Sequence, residues 1–121
     1  MPFISVLTNV PLTLELKHAA GKALIQAIAD GFGKPTASVT VNVEFAEGLM
    51  TAGTAEPCAM ANIQGIGGEL SQALKPVTDA LHKELSIPED RISMNMVSFD
   101  ASMWGRSGIT VAEARAAAAN K

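Results

Sequence analysis

The sequence predicts an α/β fold: two βαβ units forming one four-stranded mixed sheet, with both helices on one face. Three observations predict it. The order strand, helix, strand occurs twice along the chain. A proline stands near each helix-to-strand junction, at Pro35 and at Pro88. Of the 121 residues, 48% are hydrophobic and 17% charged, enough to build the core of one domain and to leave apolar surface for an oligomer.

Residues 3–8, FISVLT, combine β-branched and aromatic side chains in a short strand that Pro11 stops. Leu16, Ala20, Ala23, Leu24, Ala27 and Ile28 then share one stripe at helical spacing, which predicts a helix over 13–31. Thr13 is its capping residue, and Gly31 and Gly33 end it ahead of Lys34-Pro35. Residues 39–45 alternate, with Val39, Val41, Val43 and Phe45 on one side and Thr40, Asn42 and Glu44 on the other.

The second half repeats this order. A strand over 58–64 meets the glycines 65, 67 and 68, which predict a turn. Leu70, Leu74, Val77, Leu81 and Leu85 mark a helix over 69–85, although Pro76 inside it predicts a kink or a break near 74–76. The last strand covers 91–99, and the alanine-rich end VAEARAAAANK is a good helix former with few large anchors. Both helices on one side leave the other sheet face uncovered. Its strands read as apolar on both sides, so that face is expected against other subunits. A trimer is the natural closure, although composition does not separate it from a dimer.

Composition narrows the function. A net charge of −3 without a basic stripe argues against nucleic acid. No run reaches the roughly 20 apolar residues of a membrane span, and no signal peptide is visible. Cys58 is the single cysteine, so no internal disulfide framework forms and a reducing, cytoplasmic setting is the expectation. His18 and His82 lack ligand spacing, and residues 65–68 lack the lysine of a phosphate loop, so neither metal nor cofactor is expected. Pro2 has two readings. Proline is tolerated simply as the first residue of a strand, but removal of Met1 turns Pro2 into a free secondary amine on a rigid ring. An α-amine titrates near ~8, below lysine, which suits a general base at neutral pH.

Four stretches, MPFISVLTNVP, GKP, EPCAMANIQGIGG and SIPEDRISMNM, together resemble the tautomerases typified by macrophage migration inhibitory factor and D-dopachrome tautomerase. The resemblance covers residues 1–105 of a single domain over 1–121 and leaves a divergent tail over 106–121. It implies a homotrimer whose active sites lie between subunits, and cofactor-independent keto–enol tautomerisation of phenylpyruvate-like 2-keto acids, with weak dopachrome activity as a lesser reaction. Pro2 matches the catalytic base, Lys34 the substrate-binding lysine, Ile66 a pocket isoleucine and Asn95 an asparagine at the subunit boundary. Ser93 stands where the family has a tyrosine, which removes an aromatic wall, and Phe3 is expected to replace part of it. Trp104 keeps a pocket-edge position, and Arg106 is new at that rim, able to meet a carboxylate. Ala61 replaces the second cysteine of the CxxC present in some members, so no thiol–disulfide activity is expected.

Two further readings stay open. One is a trimeric signalling or interaction protein, with a protein receptor and a vestigial pocket, exported without a signal peptide as some family members are. The other is hydration or dehalogenation of an unsaturated acid, which extra arginines near the amine would favour.

Overall fold

The computed structural model describes residues 2–120. Met1, whose removal the reading of Pro2 requires, lies outside them. The first unit is β1 (Phe3–Thr8), α1 (Leu14–Phe32) and β2 (Thr40–Phe45); the second is β3 (Ala59–Ile66), α2 (Leu74–Leu85) and β4 (Ile92–Phe99). Each unit is parallel within itself, β1 with β2 and β3 with β4, and the two join antiparallel through β1 and β3. The sheet order is β2-β1-β3-β4. The predicted fold class is borne out.

One core forms between the sheet and both helices. Ile4 and Val6 of β1 and Ala59, Ala61 and Ile63 of β3 point toward Ala20, Leu24 and Ile28 of α1 and toward Val77, Leu81 and Leu85 of α2. The strand period of two places those residues on one face, and the helical stripes meet them there. Burying a side chain such as Leu24 or Ile63 contributes about 1.5–3 kcal/mol.

Alpha-one starts as predicted, with the Thr13 hydroxyl accepting from the Leu16 N–H, and ends at Gly33 in the left-handed conformation. Gly31, expected beside Gly33 as a terminator, instead lies inside α1, where an added Cβ would stand 3.2 Å from the Gln72 carbonyl oxygen. The predicted second helix over 69–85 is split: a 3-10 turn, Leu70–Ala73, precedes α2. Pro76 is therefore the third residue of α2, in the first turn, where its missing N–H has no intrahelical partner to lose. Leu74 pays no part in the core and is 37% exposed.

The uncovered sheet face is not the uniformly apolar surface the sequence suggested. Register sets Asn42 opposite Ser5, Ser5 opposite Asn62, and Asn62 opposite Asn95, a polar row across all four strands. Apolar Leu7 and Met60 sit on one side of this row and Phe3 on the other.

The tail has more structure than its composition indicated. After β4, a small hairpin pairs β5 (Gly105–Arg106) with β6 (Ile109–Thr110) and leads into α3 (Val111–Ala119). The Thr110 hydroxyl accepts from the Glu113 N–H at 3.0 Å, and the Glu113 carboxylate accepts from the Thr110 N–H at 3.1 Å. This reciprocal cap satisfies two otherwise free donors at the start of α3. Among the described residues, no helix is long and apolar enough to cross a membrane.

Candidate active site

Pro2 is buried where β1 begins. Its carbonyl oxygen accepts the Thr40 N–H at 3.0 Å, so β2 fixes the backbone on which the ring sits. A pocket of about 210 Å³ opens beside it.

The walls come from three elements. The C-terminal end of α1 contributes Phe32 and Lys34. The left-handed Gly33 turns the chain, and the Lys34 N–H closes back onto the Ala29 carbonyl at 2.9 Å, which pins the lysine backbone while its side chain stays exposed. The end of β3 contributes Gly65 and Ile66, followed by Gly67 and Gly68 at φ 56° and 74°. Two successive left-handed residues turn the chain sharply out of the strand at no steric cost only if both are glycine. That turn brings Glu69, Leu70 and Gln72 to the pocket. The third wall is Arg115 of α3.

The structure thus brings together Pro2, Lys34 and Ile66 in one pocket. The other expected residues lie elsewhere in the single chain. Ser93 and Asn95 are exposed on the open sheet face, opposite Met60 and Asn62. Phe3 is half-buried between Thr40 and Gln64. Trp104 meets Phe99 edge to face, with ring centroids 5.8 Å apart, and lines a separate groove with Met103 and Gln64. Arg106 lies on β5, along a groove that runs beside α3.

Sequence reasoning missed Phe32, Glu69, Gln72 and Arg115. Thr110-x-x-Glu113 was the available sign that α3 is a capped, positioned helix, but where it docks is a tertiary fact.

A model of the family described as macrophage migration inhibitory factor matches residues 1–112. The chain belongs to the macrophage migration inhibitory factor family. The migration inhibitory factor of Meriones unguiculatus is 30% identical over 116 residues, spanning 93% of this chain and 100% of that protein. The homolog from Brugia malayi is 27% identical over 114 residues, 91% of this chain and 98% of that protein. Among solved structures, the homologue from Prochlorococcus marinus is 25% identical with a TM-score of 0.81, covering 90% of this chain and 98% of that one. A further solved neighbour, inactivated by 2-oxo-3-pentynoate, has a TM-score of 0.82 at 22% identity and covers 93% of this chain and 98% of its own.

The stretches that resemble the family also build a second polar constellation, at the opposite end of the sheet. The Asn9 amide donates to the carbonyls of Leu49, Ala55 and Glu56 at 3.2, 2.9 and 3.0 Å, and its oxygen accepts the Cys58 N–H at 2.9 Å. Arg91 donates to the carbonyls of Thr54, Glu56 and Pro57 at 3.3, 3.0 and 3.0 Å. The buried Thr8 hydroxyl donates to the Cys58 carbonyl at 2.8 Å and accepts from the Val10 N–H. Three side chains, Thr8, Asn9 and Arg91, thus supply partners to backbone groups of residues 46–58 that lie outside the sheet ladder.

Proposed function

We propose that this chain is a cofactor-independent keto–enol tautomerase of 2-oxo acids of the phenylpyruvate kind, with the Pro2 amine as its base. The observation that carries the reading is the burial of Pro2 in a pocket shared with Lys34.

The chemistry follows from the residues. With Met1 removed, the Pro2 nitrogen is a secondary amine whose reference pKa is about 8, and apolar neighbours such as Ile66 and Leu70 favour its neutral form. The neutral nitrogen takes a proton from the carbon beside the substrate carbonyl, and the ammonium so formed gives that proton up to the carbonyl oxygen, which restores the free amine. One C–H bond breaks and one O–H bond forms, so ketone becomes enol with no atom gained or lost. The same steps reversed ketonise the enol. Lys34 meets the substrate carboxylate and fixes the pose in which the C–H faces the nitrogen. The inactivation of a fold neighbour by 2-oxo-3-pentynoate, itself a 2-oxo acid, supports this substrate class.

In this reading the active unit is a homotrimer. The open sheet face, with its polar row and its exposed Val97, turns toward neighbouring copies, and a neighbour supplies Asn95 and Ser93 to the rim. Asn95 then donates to the oxygen that gains charge. Trp104, Phe3 and Arg106 extend the rim in the assembled protein. A second reading, an interaction protein acting through a receptor with a weak site, is favoured by one feature: Phe32 is the single aromatic side chain in the pocket of one chain.

Intact mass together with phenylpyruvate enol–keto exchange tests the proposal, on wild type and on Pro2→Gly. Loss of the Met1 mass with exchange that collapses in the variant is the expected result. Met1 removal without any exchange in wild type would overturn the tautomerase reading in favour of the second.

A further inference from the structure

The pocket beside Pro2 carries a cation that no reading of the sequence assigned to it. Arg115 lies on α3, whose position is fixed at its first turn by the Thr110–Glu113 cap, by the buried Val111 and by the Val111 N–H bonding to the Trp104 carbonyl at 2.8 Å. Residues four apart share one helix face, so the anchoring of Val111 carries Arg115, itself exposed, to the edge where the groove beside α3 adjoins the pocket. There it meets the pocket that holds Pro2 and Lys34.

We propose that Arg115 is a second anion-binding residue of this pocket, and that it selects 2-oxo acids bearing a second carboxylate. The proposal rests on the reading of Pro2 and Lys34 as the reacting end of the site.

Charge and size argue for it. Lys34 and Arg115 face the pocket with Glu69 as the one carboxylate in its lining. Among the described residues the ion pair present is Lys75 with Asp79, so neither cation is neutralised by Glu69 within 4.0 Å. A monocarboxylate engages Lys34 and leaves the guanidinium facing substrate hydrocarbon. A dicarboxylate engages both. The guanidinium presents a planar fork suited to a carboxylate, and such charge-assisted bonds are the stronger class. The pocket of one chain, about 210 Å³, has room for a short aliphatic diacid. Phe32, Ile66 and Leu70 supply apolar contact for its middle carbons.

The test is calorimetric titration of the full chain with 2-oxoglutarate and with 2-oxopentanoate, which share a carbon skeleton and differ in the terminal carboxylate. Wild type is expected to prefer the diacid by about 10- to 100-fold, the worth of one hydrogen-bonded charge pair. Arg115→Ala should bring the preference close to one, and Arg115→Lys should restore part of it, because a point charge keeps attraction but loses the fork. A structural role for Arg115 alone would lower binding of both acids together and leave the ratio in place. Equal binding of the two acids by wild type, binding of neither, or an unchanged ratio in Arg115→Ala would overturn the proposal. Pro2→Gly separates it from the catalytic reading. Diacid preference that survives in that variant while enol exchange is lost supports both. Exchange that ignores Pro2→Gly removes the base, while the ratio measured in Arg115→Ala still decides the role of Arg115.

Discussion

The two ends of the sheet are built by opposite rules. At one end, where β1 finishes at Thr8, Asn9 and Arg91 together hold five backbone carbonyls, those of Leu49, Thr54, Ala55, Glu56 and Pro57. At the other, where β1 starts, Lys34 and Arg115 present charge to an open pocket and have no hydrogen-bond or ion-pair partner among the described side chains. The first end uses its polar groups to fix the chain, and the second keeps them available. Specificity of sequence and specificity of chemistry therefore need not coincide. The stretches Thr8-Asn9-Val10-Pro11, Glu56-Pro57-Cys58-Ala59 and Asp90-Arg91 lie within the segments that resemble the family, and they meet at the end away from Pro2.

Substitutions at the two ends are expected to have opposite effects. Pro2→Gly should lower phenylpyruvate exchange by about 100-fold or more, the usual contribution of a general base, and lower the urea midpoint less than Asn9→Ala does, since one small buried ring is lost. A large loss of stability instead would mean that Pro2 serves the fold. Asn9→Ala should do the reverse. It removes one donor from each of the Leu49, Ala55 and Glu56 carbonyls and leaves the Cys58 N–H without its acceptor, which predicts a loss of about 1–3 kcal/mol in urea unfolding at fixed protein concentration. Because Asn9 and Arg91 share the Glu56 carbonyl, a double-mutant cycle of Asn9→Ala with Arg91→Ala should show coupling of about 0.5–3 kcal/mol. Strict additivity would show that they act as two separate ties.

Smaller effects sharpen the picture. Lys34→Ala should raise KM for phenylpyruvate about tenfold, as expected for one lost charge-assisted bond, while the unfolding curve stays in place. A fall in kcat alone would remove Lys34 from substrate binding.

The last contrast is acid sensitivity. Hydrogen bonds from the Ser102 hydroxyl and then its N–H hold the Asp100 carboxyl below its ordinary range. The Thr110 N–H and then its hydroxyl do the same for Glu113. Carboxyls depressed in the folded state contribute stability that is complete above the ordinary carboxylate range and is lost as pH falls through their lowered values. Both groups are exposed, so the effect is small and local. Amide protection in α3 should therefore drop on acidification while protection of the Cys58 N–H, held by the neutral Asn9 amide, does not. Equal loss at both sites would mean that α3 is not a separately held element.

Much of the fold was legible in the sequence. Strand alternation, the stripes of α1 and α2, the Thr13 cap and the Gly33 stop are local patterns, and each element formed within a few residues of its predicted place. Pro76 was legible only in part. The sequence offered a kink or a break, and what decides is that the preceding residues form a 3-10 turn packed against Gly31 of α1. The mixed character of the open face was hidden for a related reason, since the row from Asn42 to Asn95 exists only once four separate strands are in register.

The site divides in the same way. Pro2, Lys34 and Ile66 came from family stretches, and the sequence by itself set their chemistry: an amine available after removal of one residue, a cation after a helix stop, and an apolar end of a strand. Nothing local distinguishes Arg115 from any arginine on an alanine-rich helix. It joins the pocket because the hairpin of β5 and β6 carries the chain back across the end of the sheet and Val111 anchors the helix there. Sequence determines which groups exist and which short segments hold their shape, because those depend on neighbours along the chain. Tertiary structure alone decides which groups share a pocket, because that depends on packing between residues far apart along the chain, as Pro2, Lys34, Ile66 and Arg115 are.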